Sequence, residues 1–374
     1  MKVIIIGSGI AGTSAAYHLV KNNIEVVMVD NHHEGNATAA GAGIVCPWMS
    51  KTNNQNWYQM VRRGAKYYPE LIAQLKEDGE TNTGYKKVGA LAVSLYPEEM
   101  DRLMLNLENK YEDAPEMGMF ERMSGREAKE LFPPLNEEFE AVYVSGGARV
   151  DGRLLRDALK RAAEKNGAEM MYGEAELISD EGNVKGVRVN GGNDIYADSV
   201  IATGGAWAPE LLKPLGLQLK VMPQRGQIVH LKLPETDTSD WPLLVPQKGH
   251  YMLAFDDSRV VAGATREKGS GFDHRVTAGG MAEVMAETLT VAPGLDNGTV
   301  EEIRVGFRPM GPDMAPLLGY VQPFNNLILA NGLGASGLTM GPYVGSLAAS
   351  LAVNKEVDID LSLYDPMRAI SKLA

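Results

Sequence analysis

Glycines 7, 9 and 12, set between two apolar runs, constrain this chain more than any other feature. Lys2-Val-Ile-Ile-Ile6 enters the turn Gly7-Ser-Gly9-Ile-Ala-Gly12, a helix-like stretch follows, and a second apolar run, Glu25-Val-Val-Met-Val29, ends in Asp30. This is the pattern of a strand–turn–helix–strand unit that binds the pyrophosphate of a dinucleotide. Gly7 permits the tight turn, Gly9 lets the backbone approach phosphate oxygens, and Gly12 lets the helix pack on the strands. The helix start offers free N–H groups and a partial positive charge to an anion. Asp30 stands where a carboxylate accepts hydrogen bonds from a ribose diol. Taken alone, GxGxxG also fits a glycine-rich turn of another α/β protein.

At 374 residues the chain is long enough for a large core and two domains. Hydrophobic residues make up 44% and charged residues 22%, the balance of an ordinary globular protein. A net charge of −12 argues against nucleic acid or anionic membrane as partner, although a local arginine can still capture an anion. The single cysteine, Cys46, excludes an internal disulfide and fits a reducing compartment. The first strand starts at Val3, which leaves no space for a signal peptide. No apolar run approaches the ~18 residues of a membrane span. The expectation is a cytoplasmic protein with no integral membrane segment; homo-oligomerisation is left open. The six histidines lack metal-ligand spacing and there is no Cys-x-x-Cys, so no metal is expected.

Small residues crowd Asn36 to Gly43, which reads as backbone lying against a flat ligand. Residues 54–75 read as a helix and 88–95 as a strand. Asp151 is a candidate N-cap for an amphipathic helix running to Ala163. Short strands are expected at 169–172, 175–178, 184–189, 194–196 and 199–203. Alternation over 218–233 and 251–264 predicts an antiparallel sheet in a second domain. Arg225-Gly-Gln227 is either a segment closing over a site or a turn between strands. From Leu327 the chain returns to strand, glycine-rich turn and helix, which makes both domains discontinuous.

Four segments together resemble the D-amino-acid oxidase and glycine oxidase family of flavoenzymes. They are Gly7–Asp30, Ala37–Ile44, Val200-Ile-Ala-Thr-Gly-Gly-Ala-Trp207, and Val305-Gly-Phe-Arg-Pro309 with the Gly332–Pro342 tail. The resemblance implies an α/β fold: an FAD-binding Rossmann-type, glutathione-reductase-like domain beside an antiparallel-sheet substrate domain. Residues 1–80, 145–217 and 304–374 would form the first, and 81–144 with 218–303 the second. FAD is the implied cofactor. Gly7, Gly9, Ile10, Ala11, Gly12, Asp30 and Asn31 match its pyrophosphate and ribose segment. Ala37, Thr38, Ala42, Gly43 and Ile44 match the stretch along the pyrophosphate and the isoalloxazine. Ala175 matches a backbone contact to adenine, and Thr203 with Gly204 the Thr-Gly-Gly turn. Leu333, Gly334, Ala335, Ser336, Gly337, Leu338 and Thr339 match the segment under the flavin pyrimidine edge.

In the family an arginine in a Gly-x-Arg-Pro turn grips the substrate carboxylate, and Arg308 is its match. Tyr251 matches a tyrosine that adds a hydroxyl there. Glycine oxidase carries a second arginine where this chain has Ala335, which points away from glycine as main substrate. The implied activity is oxidation of an amino acid or related carboxylated amine by hydride transfer to flavin N5. The imine then hydrolyses, and oxygen is reduced to hydrogen peroxide. No side-chain catalytic base is required. The alternatives are a dehydrogenase of the same fold that feeds a quinone or carrier, a flavin-containing tRNA-modification module, and an FAD-holding subunit without turnover.

Overall fold

The computed structural model describes residues 1–373 except 181, 193 and 248. Lys2–Ile6 lies at the centre of a six-stranded sheet, parallel to Glu25–Asp30 on one side and to Ser199–Ala202 on the other. Glu169–Tyr172 and Leu327–Asn331 extend the parallel ladder, and Leu317–Tyr320 closes one edge antiparallel. Val3 and Ile5 enter one core cluster while Ile4 and Ile6 enter another. Burial on both faces is why these strands read as unbroken apolar runs rather than alternating ones.

Helices Ile10–Lys21 and Gly337–Ala352 cross on the first face. A Cβ on Gly345 would lie 2.3 Å from the Ala11 carbonyl oxygen, and Ser14 Oγ donates to the Pro342 carbonyl at 2.6 Å. Helix Gly152–Lys165 packs beside them. Its cap is Asp151, as expected, whose Oδ1 accepts the Arg153 and Leu154 amides at 3.0 and 3.3 Å. The small antiparallel sheet of Ala175–Asp180, Asn183–Val189 and Asp194–Tyr196 packs on the opposite face through Leu177, Val184 and Val187.

An eight-stranded sheet runs in the order Thr299–Met310, Met222–Lys232, Arg259–Gly263, Tyr251–Phe255, Leu243–Pro246, Ala90–Ser94, Glu140–Val144, Phe120–Met123. It is antiparallel except where Leu243–Pro246 meets Ala90–Ser94 in parallel. The alternating stretch 251–264 is two strands, folded back at Asp256–Ser258 with Ser258 at φ 58°. Arg225–Gln227 lies inside the strand Met222–Lys232 rather than in a turn. Residues 304–310, expected with the nucleotide-binding unit, hydrogen-bond into this second sheet. The whole edge strand Thr299–Met310 escaped the sequence reading. Its first three residues, Thr-Val-Glu, are exposed and the next three half-buried, so no period-two burial signal marks it.

Candidate functional site

A cavity of about 650 Å³ runs between the two sheets, from Asp30, Asn31 and Ala175 at one end to Tyr251 and Arg308 at the other. At the first end Gly7 has φ +103°, and a Cβ there would lie 2.7 Å from the Thr203 carbonyl oxygen. The Thr203 hydroxyl donates to the carbonyls of Ile6 and Gly7 at 2.9 and 2.8 Å, which locks the turn to the neighbouring strand. A Cβ on Gly12 would lie 1.9 Å from the Gly7 carbonyl oxygen. Gly12 therefore serves packing and does not line the cavity, unlike Gly7, Gly9, Ile10 and Ala11.

Gly9 behaves differently. The nearest protein atom to a Cβ built there is Thr38 Oγ1 at 3.3 Å. Protein packing presses on position 9 far less than on position 12, because the Thr38 hydroxyl need only give by a few tenths of an ångström; an anion seated on the helix start makes the stronger demand for glycine. The cavity beside this turn is what FAD's pyrophosphate fits. The Thr38 hydroxyl also accepts the Ile10 amide at 3.0 Å, so it caps the helix as well as lining the cavity. Asp30 accepts the Ser8 amide at 2.5 Å on one oxygen and the His32 amide at 2.7 Å on the other. Each oxygen keeps a further lone pair for a ribose hydroxyl.

The small residues of 36–43 have a second cause besides a flat ligand. Cβ positions on Gly41, Gly43, Gly152 and Gly306 would lie 2.7 Å from Leu338, 1.8 Å from the Val150 carbonyl, 2.4 Å from the Thr38 carbonyl and 2.5 Å from Ala40. The segment is wedged between helix, sheet edge and tail, with Ala37, Ala42, Gly43 and Ile44 on the cavity wall. Arg153 Nε also donates to the Ala39 carbonyl, at 3.2 Å. Across from it lie Gly204, Leu333, Gly334, Ala335, Gly337, Leu338 and Thr339. Thr339 Oγ1 donates to the Ile44 carbonyl at 2.8 Å. Ser336 departs from the expectation: it is outside the lining residues and accepts Trp57 Nε1 at 3.1 Å. The helical turn that carries it points that side chain back into the protein.

Arg308 lies in the strand Thr299–Met310, opposite Gln224, and not in a turn. Pro309 does not break the ladder because this strand is the sheet edge. Arg308 Nη1 donates to the Thr265 carbonyl at 3.0 Å and to Gln224 Oε1 at 3.2 Å. Gly226 makes room: a Cβ there would lie 2.5 Å from the Arg308 guanidinium. Tyr251 opens the strand Tyr251–Phe255. Burial pushes its phenol up, opposed by the charges of Arg308 and Arg266. Burial also pulls the Arg308 guanidinium down, opposed by Tyr251 and Glu267.

Arg266, exposed and outside the residues that line the cavity, is a second cation whose charge acts on Tyr251, and sequence reasoning missed it. Its Nη2 binds the Gly249 carbonyl at 2.8 Å. No motif surrounds it; only the turn that follows Gly263 brings it beside Tyr251. The reading also missed an aromatic stack along the cavity wall. Trp207 lies between His33 and Phe272, with ring centroids 4.5 and 4.8 Å away, and Phe307 meets it edge-on at 6.1 Å. Among the described residues no group of His, Cys, Asp and Glu could hold a metal ion, and no helix is long and apolar enough to cross a membrane.

The family model described as DAO, FAD dependent oxidoreductase, matches residues 2–351. The chain is 48% identical over 369 residues to the "Uncharacterized oxidoreductase YurR" of Bacillus subtilis (strain 168), covering 98% of this chain and 99% of that one. Its fold is similar to the crystal structure of iminodiacetate oxidase (IdaA) from Chelativorans sp. BNC1, with TM-score 0.95 and 48% identity over 97% of this chain and 98% of that one. Glycine oxidase from Geobacillus kaustophilus superposes with TM-score 0.87 at 26% identity, covering 98% of each chain.

Proposed function

Because the chain belongs to the DAO family of FAD-dependent oxidoreductases, we propose that it oxidises a carboxylated secondary amine, with Arg308 holding the carboxylate and oxygen as electron acceptor. The observation that carries the reading is Arg308 itself. A half-buried guanidinium lines the cavity end opposite the nucleotide turn, its Nη1 braced by a carbonyl and an amide oxygen. An incoming carboxylate supplies the paired hydrogen bonds and charge that offset its burial. FAD, when bound, supplies the acceptor for the electrons of the substrate Cα–H bond.

The chain's own residues bind and orient. Arg308 draws the anion to one end of the cavity, and the exposed Arg266 adds positive charge outside its wall. The Tyr251 phenol, raised by burial, stays protonated near neutral pH and donates to the same carboxylate. Ala335 lines the cavity without adding a third cation and leaves space for an N-substituent. The relative described as iminodiacetate oxidase supports a substrate of this shape, an amine bearing an acetate arm. The test is peroxide release from purified holoenzyme given iminodiacetate, N-methylglycine and glycine. Turnover of the first two above glycine is expected. Substrate bleaching of the flavin that air does not reverse within the turnover time would replace oxygen by another acceptor. No turnover of any carboxylated amine would end the reading.

A further inference from the structure

Behind Arg308 sits a carboxylate that never touches it. Glu267 Oε1 accepts the Thr265 hydroxyl at 2.8 Å and Gln227 Nε2 at 2.8 Å. Glu267 Oε2 accepts Arg225 Nε at 3.0 Å and also Arg225 Nη2. The backbones of Arg225 and Glu267 are joined by a pair of amide–carbonyl bonds at 3.1 and 2.9 Å. Thr265 is fully buried, and its hydroxyl accepts the Gln227 amide at 3.0 Å while its amide reaches the Gln227 carbonyl at 3.2 Å. Every polar atom of Thr265 is thereby committed, and its carbonyl is the one that receives Arg308.

The charges are arranged with the same economy of contact. Arg225 is matched by Glu267 and by Asp273 at 2.8 Å. Among the described residues Arg308 has no carboxylate in salt-bridge range; it donates to a carbonyl and an amide oxygen and lies beside the Tyr251 phenol. A direct acid partner would compete with a carboxylated substrate. An acid one residue further back favours the charged guanidinium without occupying its fork.

We propose that Glu267 is a positioning residue for carboxylate recognition: through Thr265 it fixes the carbonyl that orients Arg308, and through its backbone rung with Arg225 it fixes the turn that carries Arg266. The proposal rests on the carboxylated-amine reading and adds the residue that sets the clamp. Glu267→Gln keeps the size of the side chain but turns an N–H2 group toward donors of Arg225 or of Thr265 and Gln227. The turn must then shift, and the acceptor of Arg308 moves with it.

The experiment titrates holoenzyme with acetate, a carboxylate that cannot be oxidised, following the flavin absorbance. KM and kcat for the best carboxylated amine, FAD content and melting temperature are measured alongside. Glu267→Gln is expected to raise both the acetate Kd and KM about 10-fold, the scale of losing a partner that orients a binding group, with a smaller change in kcat. Thr265→Val should follow it and Thr265→Ser should restore wild-type binding. Unchanged acetate affinity in Glu267→Gln, with or without a lower melting temperature, makes Glu267 a structural residue only and overturns the proposal. Should Glu267→Gln not retain FAD, the Thr265 pair decides: equal acetate affinity in the Val and Ser variants overturns it. Arg308→Met, run in parallel, separates the two readings. If that variant also binds acetate as wild type does, the carboxylate assignment itself fails; if only Arg308→Met loses binding, the role of Glu267 alone fails.

Discussion

Arg308 and Asp30 hold the two ends of the cavity, and each makes a separable prediction. Arg308→Met removes one side of a buried charge pair formed with the substrate, so kcat/KM for the best carboxylated amine should fall by about 2–5 kcal/mol in transition-state terms. FAD content should remain normal, because the side chain contacts no part of the nucleotide end. Near-normal kcat/KM in that variant would place the acid elsewhere. Asp30→Ala should weaken FAD binding by roughly 1–3 kcal/mol, the range for hydrogen bonds to a charged group. Part of that loss acts through the Ser8 and His32 amides that Asp30 anchors. Titration of apoprotein with FAD, followed by flavin fluorescence, measures it. Arg308 and Tyr251 were singled out by their resemblance to short family motifs, and both line the cavity. Arg266 and Glu267 were not, since their importance comes from what the turn after Gly263 folds against.

The nucleotide turn and its helix act as one element, and its three glycines have three different reasons. A Cβ on Gly12 meets a carbonyl at 1.9 Å, whereas one on Gly9 meets nothing closer than 3.3 Å. Gly9 also sits at φ −72°, which any residue adopts. Gly12→Ala should therefore destabilise the apoprotein by about 1–3 kcal/mol through overpacking. Gly9→Ala should leave apoprotein melting close to wild type and weaken FAD affinity. Parallel melting curves and FAD titrations check the pair. Equal loss of apoprotein stability in both variants would contradict the division of labour. The edge strand Thr299–Met310 marks the limit of reading elements from pattern. Its first three residues are exposed, and its membership of the second sheet depends on the distant partner Met222–Lys232.

Across the whole molecule, a buried imidazole, His230, and a half-buried one, His18, couple stability to pH. Burial, with the nearby Arg304 and Arg259 charges, pushes His230 down to about 3. Its Nδ1 faces Arg259 Nη1 at 3.3 Å, and Arg259 in turn binds the helix cap Asp151 at 3.0 Å, with Glu302 on the same side. Burial pushes His18 down to about 4, beside the Tyr67 hydroxyl at 2.6 Å. Both protonate more readily in the unfolded chain, whose ordinary value is 6.5. The unfolded state therefore binds more protons below that pH, and stability falls with pH. The contribution is fully present above pH 6.5 and is lost as pH drops toward 4 and then 3. Urea midpoints at pH 7.5 and 5 should differ in that direction, and His230→Leu should flatten the slope. A midpoint that does not move between those values would contradict it.

The role proposed for Arg308 came from family resemblance, whereas the nucleotide-binding unit and the FAD-linked family were legible in the sequence. These rest on local requirements: a turn that needs glycine, a strand that must be apolar on both faces, a helix that needs a cap at Asp151. Tertiary structure decided the rest. It put residues 304–310 into the second sheet, turned Ser336 toward Trp57, packed 36–43 against Gly152 of one helix and Gly306 of one strand, and stood Glu267 behind Arg308. Each of these is a contact between segments far apart in the chain. Residue type and spacing carry no record of which distant segment fills a gap, so only the packed molecule reveals it.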